Sequence, residues 1–403
     1  MVTSPPDLRD FRARCIAFLD EHATGVGVAE IDDPRHELTH KACVLFQNAL
    51  AAAGLAGLTY PLEFGGQGLT VEHQRIWRNE SAKYPLMTRT LSISQGMCLP
   101  MLNEYGTTEQ RAAHQGDLIS AQQVWCQMFS EPGAGSDVAS LQMRAVRDGD
   151  EWIINGQKVW TTLAHVADRG IVIARTDPDQ PKHRGISMFL IDMQAPGVEI
   201  RPIHQIDGGM RFNEVYLTDV RVPVGDQIGE LNQGWRLATA MLMYERVAIG
   251  TGQTGGVQHA RADKLIRAAE RKDKLADPVI RQGLMKLYSY EVCQSLVGMR
   301  TRAEAQAGKT PGPGGSLGKL AGASLAAMYR NLSLSIIGPG AVAGEDDGRW
   351  SLEALTTFAS GIAGGTNEIQ RNIIGERVLG LPREPSVDKD TPFKDLLVGT
   401  QRD

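Results

Sequence analysis

The apolar residues of this chain change period twice, and nothing else in the sequence constrains the fold as much. Cys43, Phe46, Leu50 and Ala53 recur at spacings of three and four, as on a helix with one buried face, and Gly54 offers a C-terminal stop. This helical texture continues to about residue 120. From Val124 short β-rich runs take over: Trp152-Ile153-Ile154 after the turn residues Asp148-Gly149-Asp150, then Ile171-Val172-Ile173, Ile186 to Ile191, and Val215-Tyr216-Leu217. After Asn232-Gln233-Gly234-Trp235 the helical period returns and runs through Ala268. The charged run Glu270-Arg271-Lys272-Asp273-Lys274 interrupts it, and it resumes to about Val378. The Gly/Pro-rich stretch 308–315 reads as a loop between helices, and the polar residues after Arg383 as a poorly ordered tail. The order predicts a mainly α chain with a central β-domain of mostly antiparallel strands. The expected divisions are a helical domain over 1–122, a β-domain over 123–231, a second helical domain over 232–383 and a tail over 384–403.

Composition narrows the function classes. A chain of 403 residues with 42% hydrophobic content can bury a sizeable core, and its net charge of -5 with no Lys/Arg-rich run argues against a nucleic-acid surface. The start, Met1-Val2-Thr3-Ser4-Pro5-Pro6-Asp7, lacks the basic and apolar regions of a signal peptide. No stretch approaches the roughly 20 apolar residues of a membrane span, so a cytoplasmic location is expected. Five scattered cysteines without a Cys-x-x-Cys pair read as reduced packing residues.

Several segments carry chemistry. Phe129-Ser130-Glu131-Pro132-Gly133-Ala134-Gly135-Ser136-Asp137 follows a predicted strand, and its glycines would let backbone N–H groups approach a flat or phosphorylated ligand; taken alone, it is equally a tight turn. It is not the Gly-x-Gly-x-x-Gly dinucleotide fingerprint, because the third glycine and the surrounding βαβ unit are missing. His36-Glu37-Leu38-Thr39-His40 matches His-Glu-x-x-His. The motif fixes only three residues and follows Asp33-Pro34, which resembles the cap of a polar helix, and no third ligand has a recognisable context, so no metal is expected.

The Phe129–Asp137 segment is followed by Asn155-Gly156-Gln157-Lys158-Val159-Trp160-Thr161-Thr162, then by Asn213-Glu214-Val215 with Val220-Arg221-Val222-Pro223, and finally by Gly365-Thr366-Asn367-Glu368-Ile369-Gln370-Arg371. With Tyr60 to Gly68 near the front, these motifs resemble the acyl-CoA dehydrogenase family in kind and order over nearly the whole chain. The resemblance implies a helical N-domain, a β-barrel-like middle and a C-terminal four-helix bundle, with FAD held between the last two and against a neighbouring subunit. It places the isoalloxazine against Gln127, Phe129, Ser130, Trp160 and Thr162, with Gly135 and Ser136 in the cofactor loop. Ser130 stands where the family more often has threonine. Ser136 would also lie at the mouth of the acyl-CoA site, while Thr366 and Glu368 would meet the diphosphate or adenosine side. For Trp160 the alternative is a core aromatic.

The implied reaction removes the α-proton of a thioester while a hydride leaves the β-carbon, and the protein must supply the base. Many relatives place a Glu immediately before the Gly-Thr of the C-terminal motif, but this chain reads Ala363-Gly364-Gly365-Thr366, and Gly364 cannot abstract a proton. A second subset takes the Glu from the helix that opens the C-terminal domain, where this chain reads Met241-Leu242-Met243-Tyr244-Glu245-Arg246. Helical spacing puts Glu245 on one stripe with Leu237, Met241, Ala248 and Ile249, where burial would raise its pKa and suit it as a base. The alternative is that Glu245 only pairs with a basic side chain. Arg246 resembles an arginine that lines the substrate site, and the backbone N–H at Gly364 would bind the thioester oxygen. The small residues 363 to 365, with Gly365 beside the pocket wall, imply a bulky, branched, long or sterol-derived acyl group.

Two motifs depart from the family. Where relatives carry Arg-x-Phe-Gly, by which one subunit reaches its neighbour's FAD, this chain has Glu270 to Lys274, with Arg271 as the residue able to reach the pyrophosphate. Where relatives carry Gln, two apolar residues and Gly-Gly, it has Ser335-Ile336-Ile337-Gly338-Pro339-Gly340. The expected function is FAD-dependent α,β-dehydrogenation of an acyl-CoA in a homo- or hetero-oligomer, with an electron-transfer flavoprotein as oxidant. The alternatives are an acyl-CoA oxidase and a non-catalytic or partner-dependent subunit.

Overall fold

The computed structural model describes residues 6–23, 37–84, 89–250, 260–306, 314–386 and 388–396, without the side chains of residues 37–39, 89, 245–250, 260, 302 and 305–306. Within these bounds the chain forms two compact units, residues 1–244 with 385–403, and residues 245–384.

The first unit begins with the helices α1 (Leu8–His22), α2 (Glu37–Ala52), α3 (Val71–Ser81), α4 (Leu99–Tyr105) and α5 (Thr108–Ser120). The expected stop of α2 is realised: Gly54 takes a φ of 67°, Gly54 N–H donates to Ala51 O (2.9 Å) and Leu55 N–H to Leu50 O (3.0 Å), closing the last turn. At the start of α5, Thr107 and Gln110 cap each other's backbone N–H groups.

Eight strands follow: β1 (Trp125–Met128), β2 (Arg144–Asp148), β3 (Glu151–Thr162), β4 (Arg169–Arg175), β5 (Ile186–Asp192), β6 (Val198–Ile203), β7 (Phe212–Pro223) and β8 (Gln227–Ile228). They form one sheet in the order β6-β7-β3-β2-β4-β5-β8, with β1 pairing in parallel with β4; most of the other pairings are antiparallel. The run Ile186 to Ile191 shows no alternation because both faces of β5 are covered. Ile186, Met188 and Leu190 join a core shared with α1, α2 and α4, while Phe189 and Ile191 join the second core, with Trp152, Val215 and Leu217. In β3 buried Trp152, Ile154 and Lys158 keep a period of two, and in β7 buried Asn213, Val215 and Leu217 do so until the register shifts before Val220.

The helix α6 (Gly234–Gly250) sends Leu237, Ala238 and Met241 into the first core. The second unit contains α7 (Ala260–Arg271), α8 (Pro278–Gln306), α9 (Gly315–Ile337), α10 (Arg349–Thr356) and α11 (Asn367–Ile373), with a core of Leu265, Leu284, Leu287, Leu325, Ile336 and Trp350. Among the described residues, no helix is long and apolar enough to cross a membrane.

The tail departs from its expectation. Residues 388–396 are ordered on the first unit: Phe393 lies beneath the Arg175 guanidinium, 3.7 Å from it, and Asp388 is paired with Lys182 at 2.6 Å. Polar composition suggested a loose end, but one aromatic and one carboxylate meet buried cations there.

Candidate functional site

The exit of β1 is held against β3. Val159 N–H donates to Ser130 O (2.9 Å), and the ammonium of Lys158 donates to Phe129 O (3.0 Å) and to Glu131 Oε1 (2.8 Å). Lys158 is fully buried; burial pulls its pKa down, and Glu131 opposes that pull. Glu131 in turn accepts from the N–H groups of Gln142 (2.7 Å) and Met143 (3.0 Å), so one carboxylate fixes the start of the glycine-rich loop and the strand beyond it.

This anchoring leaves a distinctive surface at the end of β3. A bulge sets Val159 and Trp160 against a single residue of β7, between the pairs Lys158–Val215 and Thr161–Asn213. Trp160 takes a φ of 60° and is 59% exposed, touching Phe212 edge-on with ring centres 6.0 Å apart. A non-glycine residue in the left-handed region costs on the order of 1 to 3 kcal/mol, and an exposed indole offers little burial to offset it. Gln127, Ser130 and Thr162 are half-buried, and among the described residues their side-chain polar atoms have no protein partner. Gly135 and Ser136 are exposed, and a Cβ added at Gly135 would meet nothing within 4 Å. Phe129 differs: its ring is 5% exposed and belongs to the first core, and its carbonyl is taken by Lys158. It shapes the strand exit from beneath.

The same unit carries a pocket of about 340 Å³ lined by Gln180, His183, Arg184, Asn232, Gln233, Trp235 and Arg236. His183 packs on Trp235 with ring centres 5.0 Å apart, and burial lowers its pKa, so it is biased toward the neutral form. Sequence reasoning passed over this pocket, and also over the Lys158–Glu131 pair. The pair had a signal: Lys158 stands at an inward position of β3, in step with Trp152 and Ile154, and a lysine there needs a buried partner.

In the second unit, Gly364 and Gly365 take φ values of 67° and 87°. A Cβ at Gly365 would come within 2.6 Å of Gln370 Nε2, which donates to Gly364 O at 2.9 Å, so this turn is built for glycine. Among the described residues nothing accepts from the Gly364 N–H. Thr366 caps α11 by accepting from Ile369 N–H (3.3 Å), and Glu368 is exposed, paired with Arg371 at 3.0 Å. Arg271 ends α7 and is exposed. The backbone of α6 is helical through Glu245 and Arg246, but the side chains of these two expected site residues lie outside the described residues. His36 of the His-Glu-x-x-His match also lies outside them; His40 faces the Thr90 hydroxyl at 3.2 Å.

Comparison with known proteins gives a consistent family. The profile described as "Acyl-CoA dehydrogenase, N-terminal domain" matches residues 5–122, the "middle domain" profile residues 126–220 and the "C-terminal domain" profile residues 232–379. The chain is 38% identical over 391 residues to acyl-CoA dehydrogenase IpdE1 of Mycobacterium tuberculosis, covering 94% of this chain and 99% of that one. Among solved structures it resembles the Tcur3481-Tcur3483 steroid ACAD, with a TM-score of 0.75 at 28% identity over 95% of this chain and 100% of that one. It also resembles the ChsE4-ChsE5 complex from Mycobacterium tuberculosis, with a TM-score of 0.74 at 29% identity over 95% and 100%.

Proposed function

Because this chain belongs to the acyl-CoA dehydrogenase family and is an oxidoreductase, we propose that it catalyses FAD-dependent α,β-dehydrogenation of a bulky, sterol-derived acyl-CoA, with Glu245 as base and an electron-transfer flavoprotein as oxidant. The observation that carries the cofactor assignment is Trp160, an exposed indole held at a positive φ beside polar side chains that have no protein partner. A flat ring system fits that arrangement: Trp160 and Thr162 offer a face and an edge, Gln127 and Ser130 offer hydrogen bonds, and the open Gly135-Ser136 backbone admits close approach. From the second unit we assign Thr366, Glu368 and Arg271 to the phosphate and adenosine parts. Arg184, Arg236 and Trp235 suit the anionic nucleotide of coenzyme A by charge and stacking.

Bound FAD would supply the acceptor for the hydride lost from the β-carbon. The remaining work falls to the protein. The Glu245 carboxylate takes the α-proton; position 245 follows the buried Met241 by one helical turn, and desolvation there would raise its pKa toward neutrality. The N–H of Gly364 donates to the thioester carbonyl oxygen, stabilising the charge that develops as the proton leaves. Arg246 orients the substrate. Support for a sterol-derived group comes from the steroid ACAD named among the similar structures, since the glycines at 364 and 365 are already required by the backbone of their turn.

The test is the anaerobic absorbance of the purified protein on adding steroid and long-chain acyl-CoAs, for wild type and Glu245→Gln. Bleaching of the flavin band in wild type alone is expected. Bleaching in both forms would remove Glu245 as the base, and preference for short straight chains would remove the bulky substrate. A second reading, a subunit that holds flavin only with a different partner chain, is favoured by the replacement of the Arg-x-Phe-Gly region by Glu270 to Lys274 and by the likeness to the Tcur3481-Tcur3483 steroid ACAD and the ChsE4-ChsE5 complex.

A further inference from the structure

The ordered tail reaches the glycine-rich loop by two linked routes. On the first, Asp388 Oδ2 lies 2.6 Å from the ammonium of Lys182, which also binds Asp137 Oδ2 at 2.8 Å, and Ser140 donates its hydroxyl to Asp137. On the second, Phe393 lies beneath the guanidinium of Arg175. That guanidinium donates to Ala139 O (2.7 Å), Leu141 O (3.4 Å) and Lys182 O (2.7 Å). Backbone pairing fixes the tail in register, with Phe393 N–H on Gln180 O (2.9 Å) and Lys394 N–H on Pro178 O (3.0 Å), while Lys394 pairs with Asp179 at 2.7 Å. Arg175 and Lys182 are both buried, so each depends on the groups that satisfy it.

We propose that residues 388–396 form a clamp that fastens the 133–141 loop through Lys182 and Arg175, making these two cations positioning residues for ligand binding by that loop. The ligand part rests on the reading above that Gly135 and Ser136 meet the cofactor and the acyl-CoA. The segment that shares the clamp, residues 178–184, also supplies Gln180, His183 and Arg184 to the pocket, so the tail orders two ligand-facing surfaces together. A tail that merely packs would end on apolar side chains. This one ends on two buried cations that also bind the backbone or a carboxylate of residues 133–141.

The test compares the full-length wild type with Asp388→Asn, Phe393→Ala and the conservative Phe393→Tyr, by amide hydrogen exchange and by steady-state kinetics per bound flavin. Asp388→Asn is nearly isosteric and partly exposed, so it leaves folding intact. Exchange over residues 133–141 is expected to quicken about tenfold in Asp388→Asn and Phe393→Ala, because a charge-assisted contact or a stacked cation is lost, and to return toward wild type in Phe393→Tyr. KM for the acyl-CoA should rise about threefold or more with kcat little changed, the pattern of lost ground-state positioning. Unchanged exchange over 133–141 in both variants overturns the clamp. Faster exchange with unchanged KM and flavin retention upholds the clamp and overturns the assignment of the loop to ligand.

Discussion

At the scale of single residues, the positions that carry the proposed chemistry were the easier ones to read. Trp160, Ser130 and Gly364 stand in motifs whose roles the family resemblance implies, while the residues alone left a tight turn or a core aromatic open. Lys158 was harder. It is quoted in a motif without a role, because a lysine announces nothing about its partner until the strand's inward face is known. Its partner Glu131 lies 27 positions away. Replacing Lys158 by Met leaves a buried carboxylate held only by two N–H groups and orphans Phe129 O. The expected loss is about 3 kcal/mol of unfolding free energy, at the lower end of what removing one partner of a buried pair costs, read as a fall in denaturant midpoint. Flavin retention should fall with it, since Ser130 hangs on the same anchor. The double variant Lys158→Met with Glu131→Gln should recover part of the loss, and a single variant as stable as wild type would show that the pair holds nothing.

Elements were legible where a period or a stop signal was local. The α2 stop at Gly54 and the β5 run at Ile186 to Ile191 both follow from neighbouring residues and from burial on one or both faces. The tail was not legible, because its order comes from cations about 200 positions earlier, and its own sequence is polar. Its attachment has a definite pH signature. The hydrogen bond from Lys182, and then that from Ser386, hold the Asp388 carboxyl at about 2, below the ordinary 3.8. A depressed folded-state pKa contributes stability that is fully present above about pH 4 and lost as pH falls through about 2. Exchange over residues 388–396 should therefore be flat from neutral pH down to about pH 4, after correction for the intrinsic rate, and then rise. Asp388→Asn should remove that acid limb, and an unchanged limb in the variant would place the responsible carboxylate elsewhere.

For the whole molecule, the second unit shows what a lone chain would leave wet. Along α8 Met285, Tyr290, Leu296 and Met299 are exposed, and beyond α9 so are Phe358, Ile362 and Val342, the last at 91%. Scattered apolar residues are ordinary, but Met285, Leu296 and Met299 share one side of the helix, and such a face would suit a covering chain. The exposed side chains do not name the chain that would cover them, since a second copy and a different subunit present similar apolar complements. The departures at Glu270 to Lys274 and Ser335 to Gly340 bear on that choice, because the resemblance implies a contact to a neighbour's cofactor through Arg-x-Phe-Gly, a motif this chain lacks. Light scattering should give a mass above that of one chain. On the partner-dependent reading, the flavin content of protein expressed alone should fall short of one per chain, rising toward full occupancy when it is co-expressed with a related chain that retains Arg-x-Phe-Gly. Binding of flavin to the folded assembly alone would also raise Tm as the partner is added. One flavin per chain in protein expressed alone would instead mean that Arg271, or another residue of this same chain, completes the cofactor site in a homo-oligomer.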